Sequence, residues 1–184
     1  NTGPSLTNTS APFHETDNPY NEEGTKNTYY GYDSGSGGVI SHNSVCIGYT
    51  SGSFLTGSYN TAVGSGAGYA SSDDTSGHSG DNNVYLGYNS QSRGGSNNLF
   101  CGANSGKLAN SSDGVFLGYN SGINSSGNGN VLIGYESGYT ATTSLHNVLI
   151  GYQSGYNVST NDTTISPNYS GNTMLGYKSG YNVS

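Results

Sequence analysis

The segment SSDDTSGHSGD, residues 71–81, brings together the side chains best suited to hold a cation. Asp73, Asp74 and Asp81 supply carboxylate oxygens and His78 supplies an imidazole nitrogen, a donor set that divalent metals accept. The segment matches neither the EF-hand spacing nor a glycine-rich calcium repeat. A solvated Gly/Ser loop is therefore the favoured interpretation, and the sequence predicts neither a metal nor a cofactor.

Paired carboxylates could make a glycosidase, which needs two carboxyl groups about 5 to 9.5 Å apart. In the repeat described below, Asp33 and Glu136 are six coils apart, which is about 29 Å at the usual spacing of parallel strands. His42 and Cys46 are close in sequence, but no third group is placed to orient the imidazole as a base. The chain is therefore predicted not to be an enzyme.

The two cysteines, Cys46 and Cys101, lie three coils apart in the same repeat. That separation is about 14 Å, whereas the Cα atoms of a disulfide lie within about 7 Å of each other. No disulfide is expected between them within one chain.

Asparagines that begin an Asn-x-Ser/Thr pattern are candidates for N-glycosylation. They are Asn8, Asn110, Asn124, Asn157, Asn161, Asn168 and Asn182. All but Asn8 are expected in turns, insertions or the C-terminal tail, where a glycan would fit. Two interpretations stay open, because a chain rich in Asn and Ser also creates such patterns by chance.

A repeat accounts for most of the chain. NVLIGYESGY begins at Asn130 and NVLIGYQSGY begins at Asn147. Nine copies align on one residue, called the repeat glycine, at Gly31, Gly48, Gly64, Gly87, Gly102, Gly118, Gly134, Gly151 and Gly176. The steps between them are 17, 16, 23, 15, 16, 16, 17 and 25 residues, so the base period is near 16 with two insertions. A fixed period of this kind indicates a stacked structural unit.

The composition of each repeat favours short strands. Runs rich in β-branched and aromatic residues are bounded by Gly, Asn and Ser, and sixteen residues hold two strands of four to five residues and two turns. The Asn four before the repeat glycine is expected to form a hydrogen-bonded ladder from coil to coil. The predicted fold is an all-β parallel β-solenoid of about nine 15–17-residue coils without helix, a rod roughly 40 Å long.

The predicted domain boundaries follow from the repeat. Residues 1–26 form an extended polar arm, and residues 27–184 form the repeat domain with insertions at 69–82 and 157–171. No capping segment follows the last copy, and solenoid ends need caps. We expect either that the chain continues in a longer protein or that its open coil pairs with another subunit.

Strand alternation assigns the faces of each coil. The apolar residues one and three before the repeat glycine are predicted to fill the interior, and the residue two after it to face solvent. The residue two before the repeat glycine is also apolar and points the other way, which predicts an exposed stripe and a subunit interface. Its members are Tyr29, Cys46, Tyr85, Phe100, Phe116, Leu132, Leu149 and Met174, with Ala62 among them. The alternative is a flattened roll in which this face also lies inside.

Three stretches, NSVCIGYTSG, NTAVGSGAG and NVLIGYQSGY, resemble the NSVAIG-type repeats of YadA-like heads in trimeric autotransporter adhesins. They also resemble repeats of phage tail-fibre-like and bacterial surface proteins. The resemblance covers residues 27–181 without the insertions. It implies a left-handed parallel β-roll, usually a homotrimer, that serves as an extracellular adhesive or fibre segment. This chain departs from adhesin heads in having bulky residues where they often carry Ala.

Composition narrows the possible partners. Hydrophobic residues make up 30% of the chain and its net charge is −7, with only four basic residues. Nucleic acid would be repelled, and no run of eighteen apolar residues is present to insert into a membrane. The expected location is extracellular, on a cell surface or a virion fibre. The expected partner is a further copy of the chain, in a trimer or a head-to-tail filament, with environmental or host glycans as a second possibility.

Two functions follow as expectations. The first is a structural or adhesive protein, a subunit of a fibre or filament built by stacking β-roll repeats. The second is a discrete receptor- or glycan-binding head of an adhesin or tail fibre.

Overall fold

The computed structural model describes residues 26–36, 42–69, 80–140, 145–158 and 171–183. Within these ranges the chain is all-β and forms a parallel β-solenoid without helix, as the repeat predicts. The strands are β1 Thr28–Tyr30, β2 Val45–Ile47, β3 Thr61–Val63, β4 Val84–Leu86, β5 Leu99–Cys101, β6 Val115–Leu117, β7 Val131–Ile133, β8 Val148–Ile150, β9 Asn157–Val158, β10 Thr173–Leu175 and β11 Asn182–Val183.

Nine of these strands form one parallel sheet in the order β1-β2-β3-β4-β5-β6-β7-β8-β10, and β9 pairs with β11. Equivalent positions of successive repeats lie side by side, so that Phe100 of β5 pairs with Phe116 of β6. The pairs β3–β4 and β8–β10 keep this register although an insertion separates each pair. The register of the sheet is therefore the same on both sides of each insertion, and the alignment on the repeat glycine is confirmed.

Two finer predictions about the extent of the fold remain predictions. Four of the eight connections between neighbouring strands of the large sheet pass through residues outside the described ranges. The count of nine coils is therefore not confirmed. The predicted N-terminal arm, residues 1–26, lies outside the described residues except for Lys26, which is exposed.

The strands are shorter than predicted, because the chain turns sharply after each one. The large-sheet strands have three residues each, and β9 and β11 are the only second strands in the described part of the chain. Each strand stops at the repeat glycine, whose φ lies between 121° and 137° in all nine copies. Two residues later the backbone enters the left-handed region, at φ values from 49° to 55° in eight copies. Only glycine adopts the first of these conformations readily.

Close stacking also requires glycine at this position. A Cβ built on Gly118 would lie 2.3 Å from the carbonyl oxygen of Gly134 in the next coil. The same approach recurs from Gly31 to Gly151. Backbone therefore packs directly on backbone along one edge of the sheet.

The core consists of the column that the sequence analysis assigned to a subunit interface, so that prediction was wrong. Cys46, Ala62, Tyr85, Phe100, Phe116, Leu132 and Leu149 are at most 2% exposed, and Tyr29 and Met174 pack partly buried against them. The residues one and three before the repeat glycine, predicted to be interior, point outward instead. The physical reason is space: the interior of so thin a coil holds one large side chain per strand, opposite glycine.

That glycine lies four residues after the repeat glycine. A Cβ on Gly122 would lie 2.2 Å from Cδ1 of Phe116. Phe116 stacks on Phe100 with ring centroids 4.8 Å apart, and Phe100 stacks on Tyr85 at 5.4 Å. The Tyr85 hydroxyl is satisfied by Ser92 Oγ at 3.1 Å. Three rings thus run along the solenoid axis and fill its centre.

Buried polar ladders flank this core. The Asn98 backbone N–H donates to Oδ1 of Asn83 at 2.9 Å, and the Asn98 side-chain amide donates to the same oxygen at 3.0 Å. Asn147 repeats both bonds with Asn130 at 2.9 and 3.1 Å. The predicted asparagine ladder is therefore present. Each such hydrogen bond contributes about 1 kcal/mol net to stability, and leaving a buried donor or acceptor unpaired would cost more than that.

Serines three residues after the repeat glycine form a second ladder on the other side of the core. Ser121 Oγ donates to the backbone oxygen of Leu132 at 2.8 Å, and Ser137 Oγ donates to that of Leu149 at 2.8 Å. Each hydroxyl thus reaches the core strand of the next coil. The conserved spacing within the repeat therefore serves contacts between coils.

Candidate binding surface

The outer side of the nine-stranded sheet presents two columns of uncharged and mostly apolar side chains, called here the outer face. One column holds the residue directly before the repeat glycine: Tyr30, Ile47, Val63, Leu86, Cys101, Leu117, Ile133, Ile150 and Leu175. The other holds Thr28, Val45, Thr61, Val84, Leu99, Val115, Val131, Val148 and Thr173. All of these residues are half-buried or exposed in the single chain. The outer face contains no charged residue.

The dimensions of the outer face are those of an interaction surface. Nine strands spaced about 4.8 Å apart and three residues wide cover roughly 400 Å². Patches of a few hundred Å² on a monomer are often functional. The neighbouring tyrosines widen the patch further, toward the roughly 800 Å² per partner of a standard interface.

Seven tyrosines follow a repeat glycine directly, and the last four of them form what is called here the tyrosine column: Tyr119, Tyr135, Tyr152 and Tyr177. Tyr32 and Tyr49 form a separate stacked pair, with ring centroids 5.6 Å apart. The ring centroids of the tyrosine column are 5.4, 4.9 and 5.3 Å apart in succession, with interplanar angles of 17°, 5° and 16°. The rings are stacked face to face and all four are exposed. Because neighbouring rings cover each other's faces, the column presents ring edges and hydroxyl groups to solvent.

A second tyrosine row lies beyond the turn. Tyr139, Tyr156 and Tyr181 stack with centroid distances of 4.9 Å and interplanar angles of 9° and 12°. Lys178 lies between the two rows, with Nζ 5.5 Å from the ring centroid of Tyr177 and 5.0 Å from that of Tyr181. Such a placement adds a cation–π attraction at the end of both rows.

A polar row separates the tyrosine rows. Asn104 Nδ2 donates to Asn120 Oδ1 at 3.2 Å, and Gln153 Nε2 donates to Glu136 Oε2 at 2.8 Å. Partial desolvation in the stack raises the pKa of the Tyr135 phenol, and its hydrogen bond to the Glu136 carboxylate and the negative charge there raise it further. The surface thus offers amide, carboxylate and phenol groups in a regular array.

Of the four candidate cation ligands, only Asp81 lies within the described residues. Asp73, Asp74 and His78 lie outside the described residues, and Asp81 Oδ1 accepts a hydrogen bond from the Ser58 backbone N–H at 2.7 Å. Within the described ranges no group of three His, Cys, Asp or Glu residues is placed to hold a metal ion. The carboxylate of Asp81 supports the neighbouring coil.

The other candidates for chemistry are held apart. Asp33 follows β1 and Glu136 follows β7, six strands along the sheet. Burial raises the pKa of the Cys46 thiol to about 12, so the thiol stays protonated at neutral pH. Both Cys46 and Cys101 are free thiols, and they point to opposite faces of the sheet.

The candidate glycosylation sites divide into three groups. Asn8, Asn161 and Asn168 lie outside the described residues. Asn110 is exposed and Asn124 is half-buried, both in connecting segments. Asn157 and Asn182 lie in strands β9 and β11, contrary to the expected loop and tail, and the Asn157 side-chain amide donates to Asn182 Oδ1 at 2.8 Å. A glycan on Asn157 would use the nitrogen that makes this bond.

Sequence reasoning missed the two features that define this surface. The outer face was assigned to the interior, and the second tyrosine row was not recognised. The signal for that row was available, since Tyr139, Tyr156 and Tyr181 all lie five residues after a repeat glycine.

In the described part of the chain there is no helix that could span a membrane. Comparison of the whole chain with protein-family models, with curated proteins and with solved structures gives no match.

Proposed function

We propose that the chain is an extracellular structural or adhesive protein, a subunit of a fibre or filament built from stacked β-roll coils. Each strand of the large sheet marks one coil in this proposal, giving nine left-handed coils, as the resemblance to adhesin heads and tail-fibre repeats implies. The protein acts by associating with further copies of itself, as a trimer or a filament, and not by catalysis.

The observation that carries the proposal is the uncharged outer face. Inside the coil, a single apolar column fills the core, and polar ladders on either side of it form hydrogen bonds between coils. Outside, the same periodicity leaves aliphatic rows in contact with water along the full sheet. A second copy has the same strand spacing, so its rows can match these rows over their length. Burial at about 25 cal/mol per Å² makes such a contact favourable.

Electron microscopy of purified full-length protein tests the proposal. Long uniform fibres, or a defined oligomer in light scattering, are expected. A monomer at high concentration with no fibres would contradict it.

The double variant Leu117→Asp/Ile133→Asp tests which surface is used. Two carboxylates in a desolvated contact are costly, so association should be lost while circular dichroism still shows the folded sheet. Asn110→Asp/Ser126→Asp is the matched control and should still associate at high salt, because it adds the same charge on adjacent coils at exposed residues away from the outer face. Phe116→Asp, one residue before Leu117, should instead unfold the chain. Unchanged association of the first variant would exclude the outer face.

A discrete receptor- or glycan-binding head is the second candidate. The polar row of Asn104, Asn120, Glu136, Gln153 and Lys178 between two tyrosine rows favours it, because convergent polar groups among aromatic side chains recognise sugars and proteins. Discrete particles in the micrographs, with binding to a glycan array that Gln153→Ala abolishes, would support this function over the fibre.

A further inference from the structure

The tyrosine column combines close stacking with solvent access. Its four rings, Tyr119, Tyr135, Tyr152 and Tyr177, are 41% to 73% exposed and no more than 5.4 Å from their neighbours. A radical formed on one ring is shared with, or passes to, the next ring at such distances. The column therefore offers an oxidised state that a single phenol does not have.

A proton acceptor is also in place. Glu136 follows Tyr135 directly in the chain, and its carboxylate helps to raise the pKa of the Tyr135 phenol after partial desolvation. Gln153 Nε2 donates a hydrogen bond to that carboxylate at 2.8 Å. Loss of an electron from a phenol is accompanied by loss of its proton. Because the rings of the column are exposed, solvent takes up that proton, and the Glu136 carboxylate offers a second acceptor.

We propose that the tyrosine column is a site of one-electron oxidation through which copies of the chain are joined by dityrosine bonds. The joining step rests on the self-association proposed above. The oxidant is a peroxide-driven peroxidase or a diffusing phenoxyl radical. The bond would make a stacked assembly covalent, which suits an extracellular fibre.

The chemistry balances as follows. Two phenols each lose one electron and one proton, and hydrogen peroxide takes up both electrons and both protons to give two water molecules. The two phenoxyl radicals form one carbon–carbon bond between their Cε atoms. The two Cε–H protons then move to the phenolic oxygens, which restores both rings.

Ring geometry directs this bond between chains. The new bond lies in the plane of both rings, whereas neighbours in one column lie along the ring normal, at interplanar angles of 5° to 17°. Coupling within a column would require both rings to turn out of the stack. Ring edges of a second copy approach in the required direction.

Two equally exposed tyrosines provide the comparison. Tyr59 is 60% and Tyr88 is 59% exposed, more than Tyr119, Tyr135 or Tyr152 at 46%, 41% and 44%. The neighbours of Tyr88 in its column are Ser65 and Ala103, which have no ring. If exposure alone set reactivity, Tyr59 and Tyr88 would react before Tyr119, Tyr135 and Tyr152. Tyr177, at 73%, would react before all of these and is left out of the comparison.

The first experiment maps the oxidation site independently of association. Dilute full-length protein is treated with peroxidase, a small amount of hydrogen peroxide and excess N-acetyltyrosine amide, whose radical couples to any tyrosyl radical. Peptide mass spectrometry should find a severalfold higher adduct yield per residue at Tyr119, Tyr135 and Tyr152 than at Tyr59 and Tyr88. Equal or higher yields at Tyr59 and Tyr88 would overturn the proposal, whether or not the protein associates.

The second experiment omits the small phenol and uses associated protein. Denaturing gels should show covalent dimers with dityrosine fluorescence near pH 9. Tyr135→Phe/Tyr152→Phe keeps the stacked rings but should lose most of the dimer, while Tyr59→Phe/Tyr88→Phe removes as many phenols and should keep it. Equal loss in both variants would overturn the proposal. Light scattering before oxidation shows whether the protein associates, so a loss of cross-linking can be told apart from a loss of association.

Discussion

At the scale of single residues, the repeat glycine does the most to determine the fold. It combines a φ near 130° with a backbone contact that leaves no room for a methyl group. The residue four before it is less strict: Gly114 takes the place of Asn, and a Cβ there would lie 2.4 Å from the Phe116 ring. Asn98 occupies the equivalent position in the coil of Phe100, so the size of the core side chain alone does not decide which residue stands there.

Gly118→Ala tests the role of the repeat glycine. The variant should lose several kcal/mol of unfolding free energy, since about 1–3 kcal/mol of backbone strain is joined by a clash with Gly134. Gly176→Ala is the control, because its φ is 121° and its Cβ would meet nothing within 4 Å. Urea unfolding followed by circular dichroism measures both. Equal losses would mean that strain alone, without the contact between coils, explains the glycine.

The buried phenol of Tyr85 predicts a defined loss of stability in alkali. Burial raises its pKa from 10.0 to about 12, so above pH 10 the unfolded chain loses the proton before the native one. The stabilising contribution is complete below pH 10 and is lost as the pH rises toward 12.

Tyr85→Phe should therefore reduce the slope of unfolding free energy against pH above pH 10, by up to about 1.4 kcal/mol per pH unit. At pH 7 the variant should lose about 1 kcal/mol with the hydrogen bond to Ser92. Urea unfolding at pH 7, 9, 10 and 11 measures both effects. Tyr88→Phe, at an exposed position, should reproduce the wild-type profile; a wild-type slope in Tyr85→Phe would contradict the assignment.

At the scale of elements, sequence reasoning predicted the repeat, the register and, for the described residues, the absence of helix, but it inverted the strand faces. Alternation shows which residues share a face, and both faces of these strands are apolar. The asparagine four before the repeat glycine held the missing information. A ladder of asparagine side chains is stabilising when it is buried. The asparagine lies on the same strand face as the core column. Phe116 and Leu132 had to lie inside for that reason.

Other features of the elements had weak signals or none. The position two after the repeat glycine gives a weak signal for a left-handed backbone conformation. Asn tolerates positive φ and occurs there as Asn89, Asn104 and Asn120. Thr50 and Glu136 at the equivalent position give no such signal. Stacking of the tyrosine column depends on ring rotamers and on the distance between coils, which a repeat pattern does not specify. The candidate surface therefore became visible only once the strands were placed.

At the scale of the whole molecule, two opposing forces act on the association of copies, because the chain combines an uncharged face with a net charge of −7. Apolar contact draws copies together, and the net charge repels them. Salt screens the repulsion, since the Debye length falls from about 10 Å at 0.1 M to about 3 Å at 1 M, and it leaves the apolar term intact. Sulfate strengthens that term further.

Association measured by light scattering should therefore rise with sodium chloride and rise more with ammonium sulfate. Asn110→Asp/Ser126→Asp adds to the long-range repulsion only, so its association should be weakened at low salt and restored at high salt. Leu117→Asp/Ile133→Asp places the same charge within the contact, where the cost is desolvation, and salt should not restore it. Association that weakens as sodium chloride increases would instead indicate ion pairs, and the contact would then lie on the charged turns and not on the outer face.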